Sequence, residues 1–248
     1  MKLSILSQNV MCWSCKGGEL DARRVRMRRL IERLDPDLIG FQEVNEKWRE
    51  YFDEDLKRYG AVFKYRGERD REAVPIYWRL DKFDLEDSGW FWLSRHPEKE
   101  SRFFFSRHKR IATWGIFRSK EDSARFAFIN THLDYGSESV RKKQIKVVRD
   151  FAKEKLSGLP LILSGDFNDN AFSPAVDYVR KFMEDSRAAA PVTDETNTHT
   201  TKFGSIADAT IDYIFTKEVK PLKFSVEKEC DGPYPQSDHY GVFVEAQI

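Results

Sequence analysis

Acidic, amide and imidazole side chains stand at the ends of several apolar segments of this sequence. Glu43 closes "DLIGFQEV", His132 lies near the end of "RFAFINTHLD", and "LILSGDFN" places Asp166 and Asn168 after an apolar run. Carboxylate and amide oxygens are ligands that hard cations such as Mg²⁺ prefer. Imidazole changes its charge near neutral pH and can stabilise negative charge or transfer a proton. These residue types indicate metal-assisted or acid–base chemistry.

The alternation of apolar and polar residues predicts which side chains share a face of each strand. Three such faces start apolar and turn polar at their C-terminal ends: Ile5, Ser7 and Asn9; Ile39, Phe41 and Glu43; and Phe126, Phe128, Asn130 and His132. Asp238 and His239, in "SDH", immediately precede the last strand-like segment. Polar groups at the ends of several strands are how an open α/β scaffold presents a site.

Each of these residues, taken alone, also has a structural alternative. Asn9, Asp166 and Asp238 could each satisfy a turn. Glu43 could be a solvated acid or the first-turn acid of a following helix. His132 could be a structural histidine with satisfied hydrogen bonds. If all of these structural alternatives were true, several unrelated coincidences would be needed, so a shared site is the better explanation.

The period of the apolar residues switches repeatedly between that of a strand and that of a helix. One-face helical spacing begins at about residue 20 and ends at "DPD" (35–37), and it recurs over 138–156. Ser173 followed by Pro174 resembles a helix cap and opens a third helix. Aromatic, hairpin-like stretches occupy 74–93 and 111–117. The sequence therefore predicts an α/β fold with more than one sheet.

The composition indicates one globular catalytic domain over residues 1–248. Hydrophobic residues make up 40% and aromatic residues 14%, which is enough for a packed core, and no repeat or Gly/Ser linker divides the chain. Lys+Arg (42) and Asp+Glu (41) nearly cancel, which argues against bulk electrostatic capture of nucleic acid. With no secretion signal and no run long enough for a bilayer, we expect a cytoplasmic protein without a membrane or an obligate protein partner.

Cys12 and Cys15 form a Cys-x-x-Cys pair directly after the first strand-like segment. A redox dithiol would place the first cysteine at a helix N-terminus, and here the next helix starts only after "KGGELD". A structural zinc needs about four ligands, and only Cys230 remains. We expect reduced thiols in a loop at the rim of the site.

Six sequence blocks occur in the order seen in the endonuclease/exonuclease/phosphatase superfamily, and this resemblance spans nearly the whole chain. The blocks are "SQNV", "DLIGFQEV", "NTHLD", "LSGDFND", "IDYIF" and "SDHYGVFV". The resemblance implies a DNase I-like, four-layer α/β/β/α sandwich of two mixed β-sheets flanked by helices. It also implies metal-dependent phosphoester hydrolysis at one end of the sheets, with Mg²⁺ as the cofactor and Mn²⁺ as a possible substitute.

The same resemblance assigns a metal site and a water-orienting pair. Glu43 matches the principal Mg²⁺ ligand, and Asn9 and Asp238 match residues near the metal. Asp166 and Asn168 match the pair that orients the attacking water.

The remaining catalytic residues implied by the resemblance surround the phosphate. His132 and His239 match the histidines that flank the scissile phosphate, and Asp212 matches the acid paired with His239. Glu72 would orient His132, and Arg110 matches an arginine that approaches the phosphate in some members. The residues expected to contact substrate are Asn9, Arg110, His132 and Asn168. Since a carboxylate partner favours the cationic imidazole, we expect both histidines to be charged.

The substrate stays open at the level of sequence. The stretch "GWFWLSRHPEKESRFFFSRHKR" (89–110) resembles little-characterised prokaryotic members and interleaves basic groups with rings, which suits single-stranded nucleic acid or a nucleotide. The alternative is a solvated loop whose Phe103, Phe104 and Phe105 fill the core. We expect a phosphodiesterase acting on DNA, RNA or a nucleotide. The other hypotheses are a phosphomonoesterase of a small sugar or inositol phosphate, and a catalytically silent binding member.

Overall fold

The structure, a computed structural model, describes residues 1–14, 19–200 and 208–248. Its elements in chain order are β1 (Lys2–Asn9), α1 (Leu20–Leu34), β2 (Leu38–Gln42), α2 (Glu46–Asp55), β3 (Tyr59–Val62), β4 (Ile76–Arg79), β5 (Phe83–Trp92), β6 (Ile111–Ser119), β7 (Arg125–His132), α3 (Glu138–Lys155), β8 (Leu161–Asp166), α4 (Pro174–Val179), β9 (Glu184–Asp185), α5 (Ser186–Ala189), β10 (Asp212–Lys217), β11 (Lys220–Glu227), β12 (Cys230–Asp231), β13 (Tyr234–Pro235) and β14 (Gly241–Gln247).

In the part of the chain that the structure describes, the strands form two six-stranded sheets and one small ribbon. The first sheet has the order β11-β14-β1-β2-β4-β3, the second has the order β5-β6-β7-β8-β10-β9, and β12 pairs with β13. β1 with β2 and β7 with β8 are parallel pairs, and the other neighbours are antiparallel, so both sheets are mixed. This architecture confirms the predicted four-layer α/β/β/α sandwich.

Three apolar layers hold the sandwich together. The layer between the sheets contains Ile5, Phe126, Phe128, Ile162, Ile214 and Val244. Met27 and Leu30 of α1 and Trp48 of α2 cover the first sheet, while Ile145 of α3 and Val176 of α4 cover the second. Burying one such side chain fully contributes about 1.5–3 kcal/mol, so these layers supply the main stabilising term.

The three predicted helices are confirmed, and their ends have the expected local chemistry. α1 ends at Leu34, and the following Asp35 adopts a left-handed conformation with φ 43°. α3 spans Glu138–Lys155. In α4, the Ser173 hydroxyl accepts a hydrogen bond from the Val176 amide at 3.3 Å, with Pro174 in the first turn. No helix in the described ranges is long and apolar enough to span a bilayer.

The prediction of a hairpin at 74–93 is wrong, because this stretch crosses between the sheets. β4 lies in the first sheet beside β2, whereas β5 begins the second sheet and pairs with β6. Both strands are rich in aromatic residues, and β4 is buried on both faces, with Trp78 in the layer between the sheets and Tyr77 in the outer layer. The sequence pattern therefore predicted that strands occur here but not which neighbouring strands they pair with.

Register brings the predicted polar residues to one edge of the sandwich. In the second sheet, His132 of β7 pairs with Asp166 of β8, and Asp166 pairs with Asp212 of β10. In the first sheet, Asn9 at the end of β1 pairs with Gln42 at the end of β2. The sheets meet closely behind this edge, since a Cβ on Gly40 would lie 2.4 Å from the Ser164 hydroxyl oxygen.

Candidate active site

A cleft of about 870 Å³ opens at this edge, and most of the predicted site residues line it. They are Glu43, Glu72, Arg110, His132, Asp166, Asn168, Asp238 and His239. Asn9 and Asp212 lie directly behind the cleft wall, where both are buried. The structure therefore brings the predicted residues together, from both sheets, around one cavity.

Glu43 reaches the cleft by a route that strand alternation did not predict. Ile39 and Phe41 pack under α1 and α2 on the outer face of the first sheet, whereas Ile5 faces the second sheet. Ile39 and Phe41 share a face as expected, whereas Glu43, expected on the same face, turns away into the cleft. Glu43 itself has φ 60°, an unusual conformation for a non-glycine residue, and this turn ends the alternation.

The turn at Glu43 is fixed on both sides. The Asn45 side chain accepts from the Trp48 amide at 3.0 Å, which caps α2, and donates to the Cys12 carbonyl at 2.7 Å. The Cys12 amide in turn donates to Glu43 Oε2 at 3.1 Å. The loop after β1 and the start of α2 therefore hold the Glu43 carboxylate in place.

Asn9 joins acids from the two sheets. Its amide nitrogen donates to Glu43 Oε1 at 3.3 Å and to Asp166 Oδ2 at 3.0 Å. Its amide oxygen accepts from the Met11 backbone amide at 2.9 Å. In this arrangement Asn9 offers the cleft its donor group, and its oxygen is engaged by the backbone.

Asp166 lies at the centre of the polar cluster. Its Oδ1 atom accepts from the Asn168 backbone amide at 2.8 Å. Its Oδ2 atom lies 3.4 Å from His132 Nε2 and 3.9 Å from His239 Nε2. Asn168, with φ 50°, donates from its side chain to the Leu133 carbonyl at 3.1 Å. One Asp166 oxygen is thus held by the backbone while the other faces both histidines.

His239 is oriented by Asp212, as predicted. Its Nδ1 atom lies 2.9 Å from Asp212 Oδ2, and the Thr198 hydroxyl donates to the same oxygen at 2.6 Å. Burial alone would lower the pKa of His239, but Asp212, Asp166 and Asp238 outweigh it and raise that pKa well above its ordinary value. His239 is therefore a cation at neutral pH.

His132 behaves differently from the expectation, because Glu72 is shared among three basic groups. Glu72 Oε1 lies 3.5 Å from His132 Nδ1, accepts from Arg110 Nη1 at 3.2 Å, and also pairs with Arg66. Burial and the Arg110 charge lower the pKa of His132 to about 3, despite the opposing charges of Asp166 and Glu43. The expectation of a cationic His132 is thus wrong, and its ring is neutral.

The donor set suits a hard divalent cation. Burial and the Glu72 charge oppose ionisation of Glu43, but the hydrogen bond from the Cys12 amide and the charge of His239 act in the opposite direction, and its pKa lies below its ordinary value, so the carboxylate is charged. Burial and the Glu43 charge raise the pKa of Asp238. Because the two carboxylates repel each other when both are charged, a cation bound between them would stabilise the charged form of both.

The acids and histidines of the described ranges also form two tighter groups, in which the ligand atoms lie within 4.8 Å of one another. The groups are Asp166, Asp212 and His239, and His199, Asp238 and His239. Glu43 belongs to neither group. A Mg²⁺ ion at Glu43 would accordingly have few protein ligands, which agrees with the preference of Mg²⁺ for keeping several waters.

Several residues of the cleft were not predicted. His199 stacks edge-on against His239 at 4.8 Å between ring centroids, and Arg66 pairs with Asp70 at 2.8 Å. His108 and Tyr135 line the same wall. The sequence feature that could have pointed to His199 is the small number of histidines, 5 in the whole chain. No comparable sequence feature distinguishes Arg66 or Tyr135 from the other arginines and tyrosines of the chain.

The Cys-x-x-Cys pair has no visible redox or zinc arrangement in the described residues. Cys12 and Cys230 are free thiols, and Cys15 lies outside the described residues. Cys12 lines the cleft, where burial and Glu43 raise the pKa of its thiol. Because the thiolate is the reactive form, this environment makes Cys12 unreactive.

Comparisons with known proteins agree with this geometry. The family model described as "Endonuclease/Exonuclease/phosphatase family" matches residues 11–239. An uncharacterized protein, L388, of Acanthamoeba polyphaga mimivirus is 32% identical over 155 residues, or 59% of this chain. The matched part spans 58% of that relative's length.

Solved bacterial structures are similar over the full length. An endonuclease/exonuclease/phosphatase family protein from Bacteroides thetaiotaomicron has a TM-score of 0.88 and 26% identity, and covers 99% of this chain and 97% of its own. The mannosyl-6-phosphatase of the same species has a TM-score of 0.89 and 26% identity, covering 99% and 100%. The expected resemblance to prokaryotic members is confirmed.

A structure of D. rerio TDP2 with a single-strand DNA product has a TM-score of 0.79 at 20% identity, covering 100% of this chain and 99% of its own. At that identity the likeness shows the fold alone. Taken with the match over residues 11–239, these findings establish that the chain belongs to the endonuclease/exonuclease/phosphatase family.

Proposed function

We propose that this chain, acting as one catalytic domain over residues 1–248, is a Mg²⁺-dependent phosphodiesterase that cleaves nucleic acid or a nucleotide. The observation that carries the proposal is the setting of Asp166. Its Oδ2 atom, which accepts a hydrogen bond from Asn9, faces His132 and His239, and the buried Arg110 lines the same cleft. A base, two imidazoles and a guanidinium around one cavity match the needs of in-line attack on phosphorus.

Glu43 and Asp238 are the residues that would hold the ion. When bound, Mg²⁺ polarises a phosphoryl oxygen and neutralises the charge that develops as the leaving group departs, and Mn²⁺ can substitute. Asn9 has a different task, because its amide nitrogen contacts both Glu43 and Asp166. It holds the metal-binding carboxylate of Glu43 and the catalytic base Asp166 at a fixed separation.

Asp166 would orient the attacking water and take its proton. The Asn168 backbone amide fixes Oδ1 of this carboxylate, and the Asn9 side chain holds Oδ2, the oxygen that faces the two histidines. Because proton transfer depends on geometry first, this fixed carboxylate is the best-placed base in the described part of the cleft.

Positive charge around the phosphate would come from His239 and Arg110. His239 is cationic and its Nε2 atom faces the cleft, since Nδ1 is engaged by Asp212. Arg110 is buried, and its Nε atom has no hydrogen-bond partner in the described residues. An unpaired buried donor is costly, so an anionic oxygen beside Arg110 would satisfy it. The neutral His132 can donate one hydrogen bond without adding charge.

An extended basic wall supports a diester with more than one phosphate. Arg66, Arg69, Arg71 and His108 line the cleft together with Arg110. Arg69 is exposed and has no ion-pair partner in the described ranges. Arg66, Arg71 and His108 already face Asp70 or Glu46, so the phosphate of a neighbouring nucleotide would find its partner in Arg69.

Phosphomonoesterase activity on a sugar phosphate is the second candidate. The supporting observation is the 26% identity, over 99% of this chain, to a protein described as a mannosyl-6-phosphatase. A catalytically silent binding role is disfavoured, because a complete set of acids and histidines is present around the cleft.

One assay separates these candidates. Purified protein is incubated with Mg²⁺ and single-stranded DNA, single-stranded RNA, double-stranded DNA and bis-p-nitrophenyl phosphate, and in parallel with a panel of sugar phosphates that includes mannose 6-phosphate. We expect cleavage of a diester that EDTA abolishes. Phosphate release from a sugar phosphate without any diester cleavage would refute the phosphodiesterase and support the phosphomonoesterase. Inactivity on all substrates would refute both candidates.

A further inference from the structure

Two phenylalanine rings project into solvent beside the active-site cleft. They belong to residues 94–107, the 94–107 loop, which lies between β5 and β6. Phe104 is 88% exposed and Phe105 is 70% exposed, and the rings meet edge-on at 4.9 Å between centroids. The alternative in which both rings fill the core is thus excluded. Exposed rings of this size, side by side, indicate a binding surface.

The 94–107 loop is held firmly by its own hydrogen bonds. The Ser94 and Ser101 hydroxyls contact each other at 2.6 Å, and Arg102 donates to the Ser106 and Arg107 carbonyls at 3.0 and 2.9 Å. The Arg107 amide and the Ser106 hydroxyl both donate to Asp134 at 2.6 and 2.8 Å. The backbone that carries the two rings is therefore fixed, so little backbone entropy is left to lose on binding.

The cations around the rings lack acidic partners. Arg95, Arg107 and Lys143 are exposed and form no ion pair with any carboxylate that the structure describes, although most arginines elsewhere in those ranges do. The acid Glu100 is neutralised by Lys109. The surface thus has a net positive charge that nothing described in the fold uses, which suits an anionic ligand.

The same surface continues into the active-site cleft. Tyr135 lines the cleft, and the next residue, Gly136, lines a depression of about 560 Å³ together with Phe104, Phe105 and Arg107. A Cβ at Gly136 would lie 2.6 Å from Arg107 Cγ, so the glycine lets the arginine pack closely there. A chain leaving the cleft past Tyr135 would meet the exposed rings next.

We propose that the 94–107 loop is a binding surface for single-stranded nucleic acid, with bases stacking on Phe104 and Phe105 and phosphates on Arg95, Arg107 and Lys143. This inference rests on the proposed phosphodiesterase function and specifies its substrate. Stacking plus backbone contacts is how proteins bind single strands without reading sequence. Continuity with the cleft favours a strand over a lipid surface, because a strand engages both regions at once.

The test measures binding of a fluorescent single-stranded oligonucleotide of about 20 nucleotides, a length that covers one or more typical single-strand sites. Binding is followed by anisotropy with Mg²⁺ in an Asp166→Asn background, so that the strand stays intact. The test variants are Phe104→Ala combined with Phe105→Ala, and Arg95→Gln combined with Lys143→Gln. Leu80→Ala is the matched control, because Leu80 is 46% exposed and follows β4 at the opposite end of the sheet. Thermal unfolding verifies that every variant is folded.

We expect the double phenylalanine change to weaken oligonucleotide binding about tenfold or more. The Arg95 and Lys143 changes should make the salt dependence shallower by about 0.7 per lost phosphate contact. In the catalytically intact background, hydrolysis of bis-p-nitrophenyl phosphate should be unchanged, and Leu80→Ala should match the wild type.

Oligonucleotide affinity within twofold of wild type for the phenylalanine variant would overturn the inference. Ring-dependent binding to phosphatidylserine vesicles with no ring-dependent oligonucleotide binding would also overturn it, in favour of a membrane surface. A different result would refute the proposed phosphodiesterase function, namely the absence of any diester cleavage, whether or not Phe104 and Phe105 contribute to oligonucleotide binding.

Discussion

The Nδ1 atom of His239 lies 2.9 Å from Oδ2 of Asp212, and this contact crosses from one sheet to the other. Asp212 begins β10 in the second sheet, whereas His239 precedes β14 in the first. Asn9 and Asp166 make a second crossing at 3.0 Å. The candidate site therefore exists only where the two sheets pack together, so its chemistry depends on the apolar layer behind it.

Replacing Asp212 by Asn should lower kcat for bis-p-nitrophenyl phosphate by about 10²–10³-fold, by analogy with the loss of one preorganised donor. The amide keeps the size of Asp212 but removes the charge that raises the pKa of His239. Steady-state kinetics near pH 7 provides the measurement, with Asp81→Asn, an exposed acid beside Arg79, as the control. A kcat within twofold of wild type for Asp212→Asn would exclude His239 as the cationic donor.

Glu43→Gln should raise the Mg²⁺ concentration needed for half-maximal activity by at least about tenfold, because one lost charged ligand costs more than about 1.4 kcal/mol in a partly buried site. A Mg²⁺ titration of the initial rate measures this shift. Glu46→Gln, an exposed acid that begins α2, serves as the control and should titrate like wild type. Unchanged Mg²⁺ dependence in Glu43→Gln would remove Glu43 from the metal site.

Glu72→Gln should lower the free energy of unfolding by about 3–5 kcal/mol, because it removes the acid shared by buried basic groups. Arg66 and Arg110 are both buried and both pair with Glu72 Oε1. Denaturant unfolding gives the free energy, and Glu86→Gln, which breaks the exposed pair with Arg125, should cost less than about 1 kcal/mol. Equal effects of the two substitutions would show that Glu72 does not balance a buried charge.

The Asp134 carboxylate should make the 94–107 loop sensitive to acid. Burial opposes its ionisation, but the Ser106 hydroxyl and the amides of Arg107 and Gly136 hold the pKa of Asp134 below its ordinary value. Because the folded pKa is depressed, this stabilisation is complete above about pH 4, near the unfolded pKa, and is lost as the pH falls through the folded pKa.

Comparison of wild type with Asp134→Asn isolates that contribution. The free energy of unfolding should differ between the two proteins at pH 7, and the difference should shrink as the pH falls below about 4. Urea unfolding between pH 7 and pH 3 provides the measurement. A difference that stays constant across this range would mean that the charge of Asp134 contributes nothing to stability.

Sequence periodicity was sufficient for most elements that carry the site. The residues Asn9, His132 and Asp166 end β1, β7 and β8, and each was predicted at the polar end of a strand. Alternation has a period of two, so it sorts side chains within one strand without showing which face points inwards. In β2 the face shared by Ile39 and Phe41 is the outer one, and Glu43 reaches the cleft through its left-handed backbone.

The parts of the site outside the strands were harder to predict. His199 and Thr198 reach the cluster from a segment without periodicity, and Glu72 from the loop before β4. The charge of His132 depends on how Arg66 and Arg110 share Glu72, which is a property of three-dimensional packing. Sequence thus predicted the membership of the site better than its electrostatics.

The most direct test of the account is anomalous diffraction from crystals soaked with Mn²⁺ and phosphate. The account predicts a manganese peak bonded to the Glu43 carboxylate, with phosphate density between it and His239. A manganese peak confined to His199, Asp238 and His239, or no peak in the cleft of an active protein, would contradict the account.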